Sequence, residues 1–224
     1  MNENLEEKDM TGSNLEKEEE IKLNVPYFSQ YLDIPDDTLL AVRACGMTCV
    51  KMCLEYFNKS PRDLSSMVKE GMAIDENGES GYGPSGWKHD YFISLFEKNG
   101  LKSSRWARVD TEKKLNTQVN GQEISESEKN RILQEQEEKC LADIIENLSN
   151  PNPSPTIVSC DRKLFDENIF HMVLVIGLKK LEDGSVEGFY IHDPAKVVRN
   201  PEGKFVKMSD FLAYWRKMAI FVSN

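Results

Sequence analysis

Residues 44–57 read ACGMTCVKMCLEYF, and the rest of the chain is best read outward from them. Small or apolar side chains recur at Cys45, Cys49, Met52, Cys53 and Tyr56, a spacing that returns to one face of an α-helix. The stretch therefore predicts a buried helix with Cys45 at its N-terminal end. That position has a chemical consequence, because the unpaired N–H groups and the dipole of a helix start favour a thiolate over a thiol. Of the five cysteines, Cys45 alone is expected there. Cys49, Cys53, Cys140 and Cys160 read as small core residues.

Upstream, IKLNVPYFSQ (21–30) alternates apolar residues and passes through Pro26 into an extended segment, followed by the loop LDIPDDTL (32–39). Downstream, SPRDLSSMVKEGM (60–72) predicts a second helix, with Ser60 as its cap, Pro61 at its first position and Gly71 as its stop. The Gly-, Ser- and Asn-rich run at 75–86 is a loop. A helix follows over 87–100, with Trp87, Tyr91, Phe92 and Leu95 turned inward and Gly100 near its C-cap. Residues 111–150 are mostly Glu, Gln, Lys and Asn. Within them Ile132, Cys140, Ile144 and Leu148 give one helix an apolar face opposite a charged one. Beyond NPNPSP the pattern becomes β-branched and aromatic: TIVSC (156–160), HMVLVIGL (171–178) and GFYIHDP (188–194), with EDGS (182–185) as the turn between the last two. A helix near DFLAYWRKM and a strand AIFVS finish the chain. Helices first and an antiparallel sheet second make an α+β order.

The formal net charge of −10 is concentrated at one end. Residues 1–20 hold eight acidic side chains against two lysines and almost nothing apolar, so they are expected to form a disordered acidic tail ahead of one domain, 21–224. No basic patch is available to neutralise phosphates, which argues against a nucleic-acid partner. The opening MNENLEEKDM lacks the basic and apolar regions of a secretory signal, and no apolar run is long enough for a bilayer. An odd, small number of cysteines argues against a disulfide framework and fits reduced thiols in a cytosol. The expectation is a cytoplasmic protein with no membrane partner.

A cysteine nucleophile needs an imidazole within reach and a third group to hold that imidazole. His171 opens an apolar strand, an odd place for an imidazole unless its ring faces a cleft. Asp193 ends the next strand. A hairpin turning at EDGS brings the two to the same open end. We expect Asp193 to accept the Nδ1 proton of His171 and so leave Nε2 for the thiol. His192 points to the opposite side of its strand from Asp193 and reads as a wall residue; His89 reads as a surface histidine on its helix. For the oxyanion of acyl transfer, the Gln30 side-chain amide and the Cys45 N–H are the candidate donors.

These residues carry a family resemblance. The series VPYFSQ, ACGMTCVKMCLEYF, PTIVSC, HMVLVIG and YIHDP resembles the papain-like peptidases that remove double-glycine leaders from bacteriocins, and more closely their stand-alone relatives. In that family a Gln precedes a Cys-Gly at the start of the first helix, a His opens a strand, and an Asp-Pro closes the next. By motif this carries onto Gln30, Cys45, His171 and Asp193, with Gly46 letting the helix start pack tightly. The resemblance covers roughly 25–57 and 155–194. It implies a papain-like α+β fold, with the nucleophile in a helical N-terminal half and His and Asp on a C-terminal antiparallel sheet. It further implies a peptide or protein substrate, hydrolysis through a thioester, and neither cofactor nor metal. The acidic segment at 111–150 is longer than the family suggests and reads as an insertion able to cover the cleft. No transporter module is present, so leader cleavage during export is not expected.

Acyl transfer and deamidation would use the same triad, differing only in what resolves the thioester. A non-catalytic papain-like module that binds peptides or a protein partner is the rival from another class. Three cysteines at spacing four on one helical face cannot close a tetrahedral metal site by themselves.

Overall fold

The computed structural model describes residues 18–59, 61–116, 124–165 and 170–224. In chain order they form β1 (Glu19–Lys22), α1 (Thr38–Ala41), α2 (Cys45–Tyr56), α3 (Leu64–Met72), the ribbon β2 (Tyr82–Gly83) and β3 (Gly86–Trp87), and α4 (His89–Lys98). Next come β4 (Lys102–Ala107), α5 (Arg108–Asn116), α6 (Glu126–Ser149), β5 (Thr156–Asp161), a 3-10 turn (Arg162–Phe165) and β6 (Phe170–Lys180). β7 (Val186–His192), β8 (Lys204–Lys207), α7 (Met208–Tyr214) and β9 (Trp215–Ser223) close the chain. Among the described residues one antiparallel sheet has the order β4-β9-β5-β6-β7-β8, with β1 added to β6. The architecture is the expected α+β one.

Strand β6 organises this sheet. His171–Leu178 are buried without interruption, as a strand covered by other elements on every side must be. Helices α2 and α6 pack against β6, and α7 against β7 through a Phe189–Phe211 ring contact of 4.8 Å. α2 is buried over nearly its whole length; Met47, Val50, Met52, Cys53 and Leu54 all lie in the core. At Gly177 an added Cβ would lie 2.3 Å from the Ile21 carbonyl oxygen, so the missing side chain is what admits β1 to the sheet.

Several boundaries differ from the sequence reading. α3 is capped by Asp63, whose side chain accepts from the Ser66 N–H at 2.9 Å; Pro61 lies ahead of the helix, and the cap expected at Ser60 falls outside the described residues. α6 buries Leu133, not Ile132, together with Cys140, Ile144 and Leu148. α4 buries Phe92 and Phe96, with Tyr91 and Leu95 only partly covered. β1 takes in Glu19 and Glu20, assigned by composition to the acidic tail, because they face Lys180 and Lys179 across the strand pair. Glu19 and Lys180 are 2.9 Å apart. Residues 1–17 lie outside the described residues.

Candidate active site

Cys45 is the first residue of α2, preceded by Ala44, which has no side chain able to cap the helix. The N–H groups of the first turn are thus left for another acceptor. Backbone hydrogen bonds from Met172 and Gly46 reach the Cys45 sulfur, while the residue keeps an opening to solvent. Gly46 is required to be small: a Cβ there would lie 2.7 Å from both Met172 Sδ and the Phe92 ring.

His171, the second residue of β6, is 3% exposed. Its Nε2 lies 2.7 Å from Asp193 Oδ1, and its ring also bonds the Cys45 thiol. With Nε2 held by Asp193, Nδ1 serves the sulfur. This reverses the ring orientation expected from sequence. Leu174 pairs with His192, so Asp193 sits just past the paired end of β7. Asp193 Oδ1 also accepts the Ala195 N–H at 2.9 Å, which fixes the carboxylate.

The electrostatics of the three groups agree. Burial works against a Cys45 thiolate, but the hydrogen bond and charge of His171 and the two backbone donors outweigh it, and the thiol pKa falls below its ordinary value. Burial likewise disfavours a charged His171; Asp193 and Cys45 reverse this and raise it to about 9. Asp193, pushed up by burial, is held below the usual carboxylate range by His171 and the Ala195 N–H. Together these favour a thiolate–imidazolium pair. The other cysteines go the opposite way. Burial raises Cys49 and Cys53 well above an ordinary thiol and puts Cys140 and Cys160 near about 12.

Gln30 is 2% exposed, and its Nε2 donates to the Ala41 carbonyl, 2.9 Å away at the end of α1, just ahead of Cys45. One amide proton remains, and the Oε1 atom has no partner among the described residues. The Cys45 N–H, first in its helix, has no acceptor inside it. The sequence reading passed over the links that bind the Gln30 segment to the Asp193 loop. Tyr27 donates to the Asp193 carbonyl at 2.7 Å, the Gln30 N–H to Pro194 at 2.8 Å, and the Ser29 hydroxyl to Lys196 at 2.7 Å. Arg199 forks onto Asp33 at 2.7 and 3.2 Å. Their only signal in sequence was proximity to Gln30 and Asp193.

His192 is buried, edge-on to the Tyr27 ring, with Nε2 donating to the Pro201 carbonyl at 3.0 Å. Burial lowers its pKa, so it stays neutral behind the site. His89 is half-buried, with its Nδ1 2.9 Å from the Arg105 guanidinium, the hydrogen-bonded form of the histidine expected there. A cavity of about 900 Å³ is lined by Tyr56, Asn58, Asn147 and Asn150 at the other end of α2; no cysteine or histidine borders it. No group of three or more metal-ligating side chains occurs among the described residues. No helix among them is long and apolar enough to cross a membrane.

Comparison with known proteins adds the following. A double-glycine motif protease from an AMS/PCAT transporter, solved in complex with the leader peptide, is 15% identical over 90% of this chain and 93% of that one, with a TM-score of 0.46. The peptidase domain of Streptococcus ComA, a bifunctional ABC transporter, is 12% identical over 81% of this chain and 92% of that one, with a TM-score of 0.44. No curated protein matches the chain. A family model described as the Peptidase_C39 like family matches residues 22–220, nearly the whole chain, and to that family the chain belongs.

Proposed function

We propose that the protein hydrolyses a peptide or amide bond through a thioester on Cys45, with His171 as acid and base, Asp193 as its orienting partner, and Gln30 as an oxyanion donor. The observation that carries this is the 2.7 Å His171–Asp193 bond placed beside a thiol at a helix start. Such an arrangement supports each step in turn. The thiolate attacks the carbonyl carbon, and the oxyanion is received by the Cys45 N–H and the remaining Gln30 amide proton. His171 then gives its Nδ1 proton to the departing amine, leaving the thioester and a neutral imidazole. Water, giving a proton to that imidazole, attacks the thioester carbon, and the C–S bond breaks to release the acid and restore the Cys45 thiolate beside the His171 imidazolium. Asp193 keeps its charge throughout and stabilises the imidazolium.

The test needs no substrate. Alkylation of Cys45 by iodoacetamide, followed by peptide mass across a pH series, is expected to proceed well below the pH at which an ordinary thiol reacts. In His171→Ala the profile should move up toward about 8.5, the value for an unassisted cysteine. Superimposable profiles for the two proteins would leave a papain-like binding module and remove the enzyme.

A further inference from the structure

The two donors assigned to the oxyanion hang from one short stretch of chain. Gln30 Nε2 is anchored on the Ala41 carbonyl, and the Cys45 N–H belongs to the peptide that begins at Ala44. Residues 42–44 therefore set how far apart the two donors stand. The stretch turns back on itself, with the Arg43 N–H donating to the Leu40 carbonyl at 3.1 Å and the Ala44 N–H to that of Ala41 at 3.0 Å. The peptide joining Ala44 to Cys45 is held at its oxygen, which accepts the Thr48 N–H and the Thr48 hydroxyl, both at 2.8 Å. The peptide before it, from Arg43 to Ala44, is held at its oxygen by a residue far along the chain. Trp87 Nε1 donates to the Arg43 carbonyl at 2.6 Å.

Trp87, on β3, is itself braced. Its ring meets Tyr82 edge-on at 5.2 Å and lies 5.5 Å from Phe92, and a Cβ at Gly71 on α3 would stand 2.7 Å from the indole Cζ3. Phe92 in turn closes on Gly46. The indole thus reaches both flanks of Cys45, Arg43 through a hydrogen bond and Gly46 through the Phe92 ring. Packing asks only for a large ring here. Arg43 is an exposed residue, so burial alone does not demand a protein donor for its carbonyl. What the indole adds is an N–H of fixed direction. Oxyanion donors work because they are aimed before the charge develops.

We propose that Trp87 is a positioning residue for acyl transfer: by holding the Arg43 carbonyl it fixes the two peptides jointed at Ala44, and with them the aim of the Cys45 N–H. The inference rests on the reading of Cys45 as the nucleophile, with its own N–H as an oxyanion donor. The bond from Trp87 acts on the step in which charge gathers on the carbonyl oxygen. Formation of the thiolate depends instead on His171 and on the Met172 and Gly46 backbone.

Two reagents that take the same sulfur through different transition states separate this role from a merely structural one. With iodoacetamide the thiolate displaces iodide at a saturated carbon, and no oxyanion forms. With p-nitrophenyl acetate the thiolate adds to the carbonyl carbon, charge gathers on its oxygen, and the C–O bond then breaks to give the acetyl thioester and p-nitrophenolate. The p-nitrophenolate burst that prior alkylation of Cys45 abolishes measures this second reaction. Complete loss of an oxyanion donor costs roughly 10²- to 10³-fold, so a donor left in place but poorly aimed should cost about tenfold or more. Trp87→Phe should therefore slow the burst by about tenfold or more while the iodoacetamide rate stays within about twofold across the pH series. Replacing the Trp87 indole by its benzothiophene isostere, which exchanges N–H for sulfur and keeps the ring, should give the same split and carries the test if the smaller ring loosens the fold. Trp106→Phe removes an indole N–H that has no partner among the described residues, and should leave the ratio of the two rates as in wild type. Equal losses with both reagents, or no loss with either, overturn the role of Trp87. A wild-type protein that is alkylated at Cys45 but gives no such burst overturns acyl transfer itself, and the role of Trp87 falls with it.

Discussion

His171 sets the pH behaviour expected of the site, and the sign follows from the two groups it links. Below the lowered pKa of Cys45 the sulfur is protonated and cannot attack; as the thiolate forms, turnover rises. Above about 9 His171 loses the proton it must give to the leaving amine, so turnover falls again. A kcat/KM profile measured on any cleaved peptide should therefore be a bell with its alkaline limb near about 9. An alkaline limb near 6.5 would mean that Asp193 does not hold the ring. Asp193→Asn should move the alkylation profile of Cys45 less than His171→Ala does, because the ring stays while its brace weakens. Gln30→Ala should lower kcat by roughly 10- to 1000-fold with KM nearly unchanged, the pattern of a donor used chiefly in the transition state. A raised KM at constant kcat would assign Gln30 to substrate binding alone. At this scale, sequence singled out Cys45, His171 and Asp193 because each lies at the end of an element whose periodicity is plain, and the structure brings the three side chains together. It failed on which imidazole nitrogen meets Asp193, since a ring rotation is not written in strand periodicity.

Helix α2 shows how tightly its start is positioned. Gly46→Ala adds a methyl group 2.7 Å from Met172 Sδ and from the fully buried Phe92 ring. Overpacking of this kind costs about 1–3 kcal/mol, while alanine recovers about 1 kcal/mol of helix propensity, so a net loss of stability is expected. It should appear as a lower midpoint in urea together with slower alkylation of Cys45, whose sulfur depends on the Met172 backbone. Gain of stability at an unchanged rate would show that Met172 swings aside. Cys49→Ala, which removes a fully buried sulfur packed on β6, should cost on the order of 1 kcal/mol and leave the chemistry intact. Elements with a strong apolar rhythm, such as α2 and the β6–β7 hairpin, were legible. β4 was not: KSSRWA is largely polar, and it becomes a strand because β9 offers it a partner. Likewise the reading of α6 chose Ile132 over its neighbour Leu133, an error of one position that only packing against β9 and β6 resolves.

Taken whole, the α+β class followed from the order of helical and strand patterns, whereas the sheet order did not. Strands β1 and β4 reach the sheet from the helical half of the chain, and no local pattern announces a pairing over such a distance. The links between the Gln30 segment and the Asp193 loop are of the same long-range kind. Arg199→Ala should cost no more than about 1 kcal/mol in denaturant titrations at low salt and less at high salt, since its side chain is half-exposed. A larger, salt-independent loss would show that the Arg199 stem, not its charge, holds the loop. The contrast among the five thiols has a practical consequence. With Cys45 as the proposed nucleophile, a native molecule should offer one reactive sulfur near neutral pH, while the four whose pKa is raised should stay silent inside the fold. A dye or cross-linker can thus be attached at a single known point with no cysteine removed. The number of sulfurs modified per chain becomes a gauge of foldedness, rising from one toward five as denaturant opens the core.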